Sequence, residues 1–255
     1  MRERRVRVDQ QALRGRMVVI TRPVGTASTL ARRVRSLGGT PLLLPGLALR
    51  GVAEPAAARA ELLKALQDEL VIFTSPAAVS HAALLVPLRT AATVLAVGHG
   101  TARALRRCGV AAPLVPAQQD SEGLLDLPPL QALAGRRVAL VGAAGGRGVL
   151  RGQLAARGAR LRELHVYRRL PPRLDRRHVE ALLQLPATAR VLLSSAEALQ
   201  NLCQLLPAAA LARLQAATAV VSSERLAMAA RDAGFGRITV AESAVAADLL
   251  MAAAR

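Results

Sequence analysis

The sequence predicts an α/β protein made of two similar parallel-sheet domains, and three observations carry that prediction. Short β-branched runs alternate with alanine- and leucine-rich helical stretches along the chain, the pattern of strands joined by crossover helices. Segments of the chain return at an offset of about 120 residues. With 255 residues, 52% of them apolar, the chain is long for one domain, comfortable for two, and able to bury a sizeable core.

In order, the strands are read at Met17–Thr21 (MVVIT), Pro41–Leu44, Leu70–Thr74 (LVIFT), Val94–Val97 and Val138–Val141. Arg160–Val166, Val191–Ser194, Thr218–Val221 and Ile238–Val240 follow, with helices in most of the intervals. The repeat links them in pairs. GRMVVITRPVG at 15–25 is echoed by GRRVALVGAAG at 135–145, and the helices that follow both close on glycine, in SLGGT and AARGA. VIFTSPAAV at 71–79 is echoed by VLLSSAEAL at 191–199, and VLAVGHGTARALRRCGV at 94–110 by AVVSSERLAMAARDAGF at 219–235. Asp120-Ser121 and Glu242-Ser243 follow the last pair. Two copies are too few for a solenoid, which leaves two domains.

The strand ends are small and polar: Thr21-Arg22, Thr74-Ser75, Gly98 to Thr101, the glycine-rich run from Gly142 to Gly148 with Arg147 inside it, Ser194-Ser195 and Ser222-Ser223. In an open parallel sheet the carboxyl ends of the strands form the binding edge, and the helix that follows presents free backbone N–H groups to an anion. Taken singly, each hydroxyl reads equally as a helix cap. Six in register across a duplication point to anion cradles in both domains.

Sharper enzyme signatures fail. GAAGGRG at 142–148 lacks the spacing of a dinucleotide fingerprint, and no GK[ST] phosphate loop follows it. No GxSxG elbow exists, none of the four histidines has a triad-like context, and carboxylates are sparse. Cys108 and Cys203 stand apart with no metal-ligand spacing. Chemistry on this chain therefore needs little from side chains, and no metal or organic cofactor is expected.

The formal charge is +18, carried by arginine with Lys64 the single lysine. It reads either as arginine scattered over solvated faces or as a field that draws a polyanion. A single-strand nucleic-acid groove needs stacking aromatics, and two Phe, one Tyr and no Trp do not supply them. A small polycarboxylate fits at least as well, with no nucleic acid as partner. The charged N-terminal stretch lacks a signal-peptide core and no apolar run spans a bilayer, so the expectation is a cytoplasmic protein with no membrane association.

TRP at 21–23, FTSPAAV at 73–79, VGHGTARAL at 97–105, DSEGLL at 120–125, GGRGVL at 145–150, VYRR at 166–169, SSERLA at 222–227, then GF and AES, occur in an order and spacing that closely resemble the bacterial uroporphyrinogen-III synthase family of tetrapyrrole and heme biosynthesis. The resemblance runs from about residue 16 to the C-terminus. It implies a topology that the repeat alone, which would cut the chain in the middle, does not. Residues 1–38 and 172–255 would form one α/β domain, 51–163 a second one inserted in it, and 39–50 and 164–171 a two-stranded linker.

The resemblance also implies an enzyme that cyclises hydroxymethylbilane, a linear tetrapyrrole with eight carboxylates, with loss of water and inversion of ring D; a monomer is expected, since nothing in the sequence marks an oligomer face. Thr21, Arg22, Thr74, Ser75, Gly98, Thr101, Gly142, Arg147, Ser194, Ser195, Ser222 and Ser223 would hold the carboxylates. On spacing alone, a tyrosine in a β-like segment is a packing residue. The resemblance makes Tyr167 the catalytic side chain, since the family's VY segment places a phenol that is protonated at neutral pH near the departing hydroxyl. The rival reading, from another class, is a synthase-like regulatory or polyanion-binding module without catalysis. It calls for an appended helix-turn-helix region, for which the residues outside the resemblance leave no room.

Overall fold

A computed structural model of the chain describes residues 11–145 and 148–255. Among these, ten strands run in chain order: β1 Met17–Ile20, β2 Thr40–Leu43, β3 Ala48–Gly51, β4 Leu70–Phe73, β5 Thr93–Ala96, β6 Arg137–Ala143, β7 Arg160–Leu170, β8 Arg190–Leu192, β9 Thr218–Val221 and β10 Arg237–Val240. They form two five-stranded sheets, ordered β10-β9-β8-β1-β2 and β3-β7-β6-β4-β5. The chain divides into two compact units accordingly. One runs up to Ala48 and resumes from Leu170 to Arg255; the other is Leu49–Arg169.

The first sheet is parallel throughout. Its inner strands β1, β8 and β9 bury both faces, because the crossovers lay helices on one face or the other. Val19, Val191, Ala219 and Val221 point into one apolar cluster with Leu199, Leu202 and Phe235. Val18, Ile20, Leu192 and Val220 point into another, under helices Ser28–Ser36 and Ala246–Ala254. The second sheet repeats the device. Val71 and Phe73 of β4 enter a cluster with Ala78, Val79 and Ala82 of helix Pro76–Leu85, while Leu70 and Ile72 face Leu124, Leu130 and Leu154. Strand β4, with β5 and β6 on either side, is buried at all four residues.

The sequence repeat and the spatial order agree. The echoed pairs are β8 with β4, β9 with β5 and β1 with β6, and the runs β9-β8-β1-β2 and β5-β4-β6-β7 occupy matching places. The fifth strand sits on opposite margins: β10 beside β9, β3 beside β7. In both units the strand order reverses at the equivalent point, between β8 and β1 and between β4 and β6, where open α/β sheets bind ligands.

Two differences from the sequence reading concern the stretches expected as linker. Residues 39–50 hold two strands in two different sheets, β2 and β3, and β3 had not been read as a separate strand. Residues 164–171 continue the strand read at Arg160–Val166, and β7 is unbroken to Leu170. The remaining strands lie within one or two residues of their expected bounds. Thr21, Thr74 and Val97 fall just past their strands, yet their amides still donate to Leu192, Val141 and Phe73 carbonyls.

Candidate active site

At the carboxyl ends of β4 and β6 the unit Leu49–Arg169 opens a pocket of about 450 Å³, walled by Thr74, Ser75, Gly142 and Tyr167 and rimmed by Arg151, Glu163, His165 and Arg169. A second recess of about 830 Å³ lies at the amino end of β5, around Leu88, Val94, Cys108 and Val110. The first is the candidate site because polar groups converge there.

Local backbone features build its wall. Gly142 is the penultimate residue of β6, and a Cβ there would come within 2.6 Å of Thr74 Oγ1, so only glycine lets the two strand ends approach so closely. The Thr74 hydroxyl donates to the Val141 carbonyl at 3.2 Å. Ser75, extended at φ −162°, caps helix Pro76–Leu85 by accepting the Ala78 N–H at 3.0 Å. Opposite, β7 slips register against β6: His165 pairs with Gly142 but Tyr167 with Ala143, leaving Val166 as an extra residue. Such a bulge bends a strand and re-aims its side chains. Val166 and Tyr167 are consequently buried one after the other in the same cluster, while Glu163, His165, Tyr167 and Arg169 all reach the pocket.

Tyr167 is 7% exposed. Its oxygen lies 3.2 Å from Ser75 Oγ, and its ring stacks on His81 with centroids 5.3 Å apart and planes 16° from parallel. Burial pushes the His81 imidazole below the ordinary histidine value of 6.5. Arg169 Nη2 donates to the Ala144 carbonyl at 3.1 Å, and Arg151 Nε stands 3.9 Å from Glu163 Oε1.

Of the other residues expected in this unit, Gly98 caps helix His99–Arg107, whose first amide donates to Gln119 Oε1 at 3.0 Å. Thr101 is buried on that helix, 3% exposed, and neither lines the pocket. Arg147 lies outside the described residues.

The remaining six belong to the other unit. Thr21, fully buried, donates to the Leu192 carbonyl at 2.9 Å and accepts the Ser194 N–H at 3.0 Å. Ser194 Oγ donates to the Thr21 carbonyl at 3.0 Å, the counterpart of Thr74 on Val141. These two hydroxyls tie β1 to β8 at the reversal point and commit their protons to backbone. Ser195 and Ser223 cap helices Ala196–Leu205 and Glu224–Asp232 through Ala198 and Leu226 N–H. Ser222 is half-buried. Arg22 is half-buried too, and burial pushes its guanidinium below the usual arginine range. Among the described residues it has no carboxylate within 4.0 Å.

Sequence reasoning missed His81, Arg151, Glu163, His165 and Arg169. Four of the pocket residues share odd positions on one strand, 163 to 169, a period-2 signal that a strand read through to 170 would have revealed. His81 carries no such signal, because its partner is a tyrosine far along the chain. Among the described residues no group of three His, Cys, Asp or Glu is placed to hold a metal ion, and no helix is long and apolar enough to cross a membrane.

Comparison with known proteins returns one family across this fold and site. The family model described as uroporphyrinogen-III synthase HemD matches residues 28–251. The uroporphyrinogen-III synthase of Escherichia coli (strain K12) is 33% identical over 237 residues, 89% of this chain and 95% of that protein. That of Salmonella typhimurium is 31% identical over 234 residues, with the same shares. A mutant uroporphyrinogen III synthase from the extremely thermophilic bacterium Thermus thermophilus superposes with a TM-score of 0.57 at 26% identity, over 92% of this chain and 96% of that one. The uroporphyrinogen-III synthetase of Helicobacter pylori 26695, at 14% identity and TM-score 0.60 over the same shares, matches in fold. From the pairing of strands, the hydroxyl-lined reversal points and this agreement along nearly its whole length, the chain belongs to the uroporphyrinogen-III synthase family.

Proposed function

We propose that the chain is a working synthase of its family. It takes the linear tetrapyrrole hydroxymethylbilane, removes the terminal hydroxyl as water, and closes the ring with inversion of ring D to give uroporphyrinogen III. The observation that carries this reading is the family match along 28–251; the pocket around Tyr167 supports it with a phenol within reach of a ligand.

In the proposed first step the Tyr167 O–H gives its proton to the leaving oxygen. The carbon–oxygen bond breaks with its electron pair on oxygen, water departs, and a pyrrole nitrogen lone pair fills the vacated carbon to form an azafulvenium ion beside a phenolate. Ring D attacks that carbon through its substituted position, a spiro intermediate rearranges, and the proton lost on rearomatisation returns to the phenolate. The nitrogen lone pairs supply most of the push, so the phenol contributes at or below the usual general-acid range of about 100-fold to 10,000-fold. Without enzyme the bilane closes to the uninverted isomer. A hundredfold preference for inversion requires only about 2.7 kcal/mol of differential stabilisation, which carboxylates held in place supply by orientation.

Arg22 is the strongest candidate for such a hold, since a carboxylate would give a partly desolvated guanidinium the ion pair it lacks among the described residues. Ser195, Ser222 and Ser223 add hydroxyls, Gly142 a strand-end amide and Arg147 a guanidinium. Thr21, Ser194 and Thr74 we assign to shaping the edge, because their protons are committed to backbone. Nucleic acid is not a partner in this reading: Phe73, Phe235 and Tyr167 are 1%, 3% and 7% exposed, which leaves no aromatic platform for bases. The enzyme is read as a cytoplasmic monomer, and the free thiols Cys108 and Cys203 fit a reducing compartment.

Purified, chelator-treated protein incubated with hydroxymethylbilane should consume it well above the spontaneous rate. Consumption at the spontaneous rate would contradict the reading, and activity restored only by added metal would contradict its cofactor-free form. Sedimentation at the mass of one chain checks the monomer.

A further inference from the structure

One helix carries both groups that hold the Tyr167 phenol. Ser75 is the N-cap of helix Pro76–Leu85 and lies 3.2 Å from the phenol oxygen; His81, within the same helix, stacks on the ring. A serine hydroxyl has one proton to give and two lone pairs. At Ser75 a lone pair takes the Ala78 N–H at 3.0 Å, which leaves the proton for Tyr167. Were the phenol to donate to Ser75 instead, its hydrogen would be committed to the protein. The positive end of the helix dipole, adjacent to Ser75, favours the opposite arrangement as the phenol oxygen gains negative charge. With Ser75 donating, the phenol's own hydrogen is free for the pocket.

His81 completes the seat. Burial pushes its imidazole below the ordinary histidine value, which favours the uncharged ring, and a flat ring lying 16° from parallel limits the tilt of the phenol. Ring pairs of this kind have a preferred geometry, so the stack specifies an orientation as well as burying area.

We propose that Ser75 and His81 are positioning residues for Tyr167: Ser75 holds the phenol oxygen by donating to it, and the stacked His81 ring fixes the plane of the phenol so that its O–H faces the pocket. This rests on the reading of Tyr167 as the proton donor, and it moves Ser75 from a ligand of the substrate to a support of the acid.

The test is a set of double-mutant cycles on kcat and KM for hydroxymethylbilane. Ser75→Gly keeps most of the helix cap, since glycine is nearly as good as serine there, but removes the hydroxyl; His81→Ala removes the stack. Each should lower kcat roughly 5-fold to 10-fold with KM little changed. Ser75→Thr and His81→Phe should recover most of that loss. In a Tyr167→Phe background neither Ser75→Gly nor His81→Ala should lower kcat further, because the group they orient is gone. Losses that persist in full in that background overturn the proposal, as does a Ser75→Gly effect confined to KM. Full activity of Tyr167→Phe alone instead overturns the proton-donor reading beneath it. Since the chain has one tyrosine and no tryptophan, intrinsic fluorescence reports on Tyr167 alone. Emission unchanged in both Ser75→Gly and His81→Ala would also contradict the seat, while unchanged circular dichroism confirms that the variants fold.

Discussion

Tyr167 is nine-tenths buried and still lines a pocket, and the extra residue Val166 explains the combination. Without the bulge, a strand alternating buried and exposed side chains would place Tyr167 with the exposed His165; with it, the ring joins the core and the oxygen reaches the rim. Tyr167→Phe should lower kcat about tenfold to a thousandfold with little change in KM. It should also cost about 0.5–1.5 kcal/mol in denaturant melts, from loss of the Ser75 hydrogen bond. His81 predicts a pH effect on stability. Its folded-state pKa lies below the ordinary 6.5, so the unfolded chain takes up the proton first as pH falls. Its contribution is complete above pH 6.5 and is lost on acidification from there toward the folded value. His81→Phe should flatten the melting-temperature profile in that window; an unchanged slope would show the shift to be negligible. The phenol and the strand-end hydroxyls were legible in the sequence as unusual residue types at punctuated positions. His81 and the bulge were not, because both depend on which residues meet across the sheet.

Helix caps and strand ends show where local sequence suffices and where it fails. Ser75 and Ser195 occupy equivalent places in the duplication, each accepting the amide three residues on at 3.0 and 3.1 Å. Ser195→Ala should therefore destabilise by about 1 kcal/mol and Ser195→Gly by a few tenths, read from chemical denaturation. Gly142→Ala should displace the Thr74 hydroxyl, cost about 1–3 kcal/mol as an overpacked site, and raise KM by narrowing the pocket; a neutral result would mean that the wall gives way easily. At the other end of that sheet Asp68, 5% exposed, receives Arg162 Nε at 3.0 Å, with Arg137 at 3.6 Å. Both arginines reach solvent, so Asp68→Ala should cost about 1–3 kcal/mol, less than a fully buried pair. Nine strands were legible as β-branched runs. Strand β3, ALRG, was not, because nothing in its four residues marks a strand and pairing with β7 makes it one. The tail of β7, rich in arginine, lies beyond the β-branched run and was expected as a strand only from the family resemblance, because its support comes from neighbouring strands.

Across the whole molecule, a charge of +18 and hydroxyl-lined reversal points in both units suit a substrate with eight carboxylates. Screening of that field predicts that KM for the bilane rises as salt goes from about 0.01 M to about 1 M, over which the Debye length falls from about 30 Å to about 3 Å. A KM indifferent to salt would make the arginines a compositional background. The duplication was legible from end to end, and its spatial counterpart is the shared order of four strands, with the fifth strand added on opposite margins. That last feature escaped sequence reading because a repeat reveals which segments are alike and not which of them adjoin. The central claim is that this chain directs ring closure by how it holds the bilane, with Tyr167 only hastening departure of water. The most direct test is the isomer composition of the uroporphyrinogen formed from hydroxymethylbilane by the wild-type chain and by Tyr167→Phe. The account predicts the inverted isomer III from both, formed more slowly by the variant; the uninverted isomer I as the main product of the wild-type chain would contradict it.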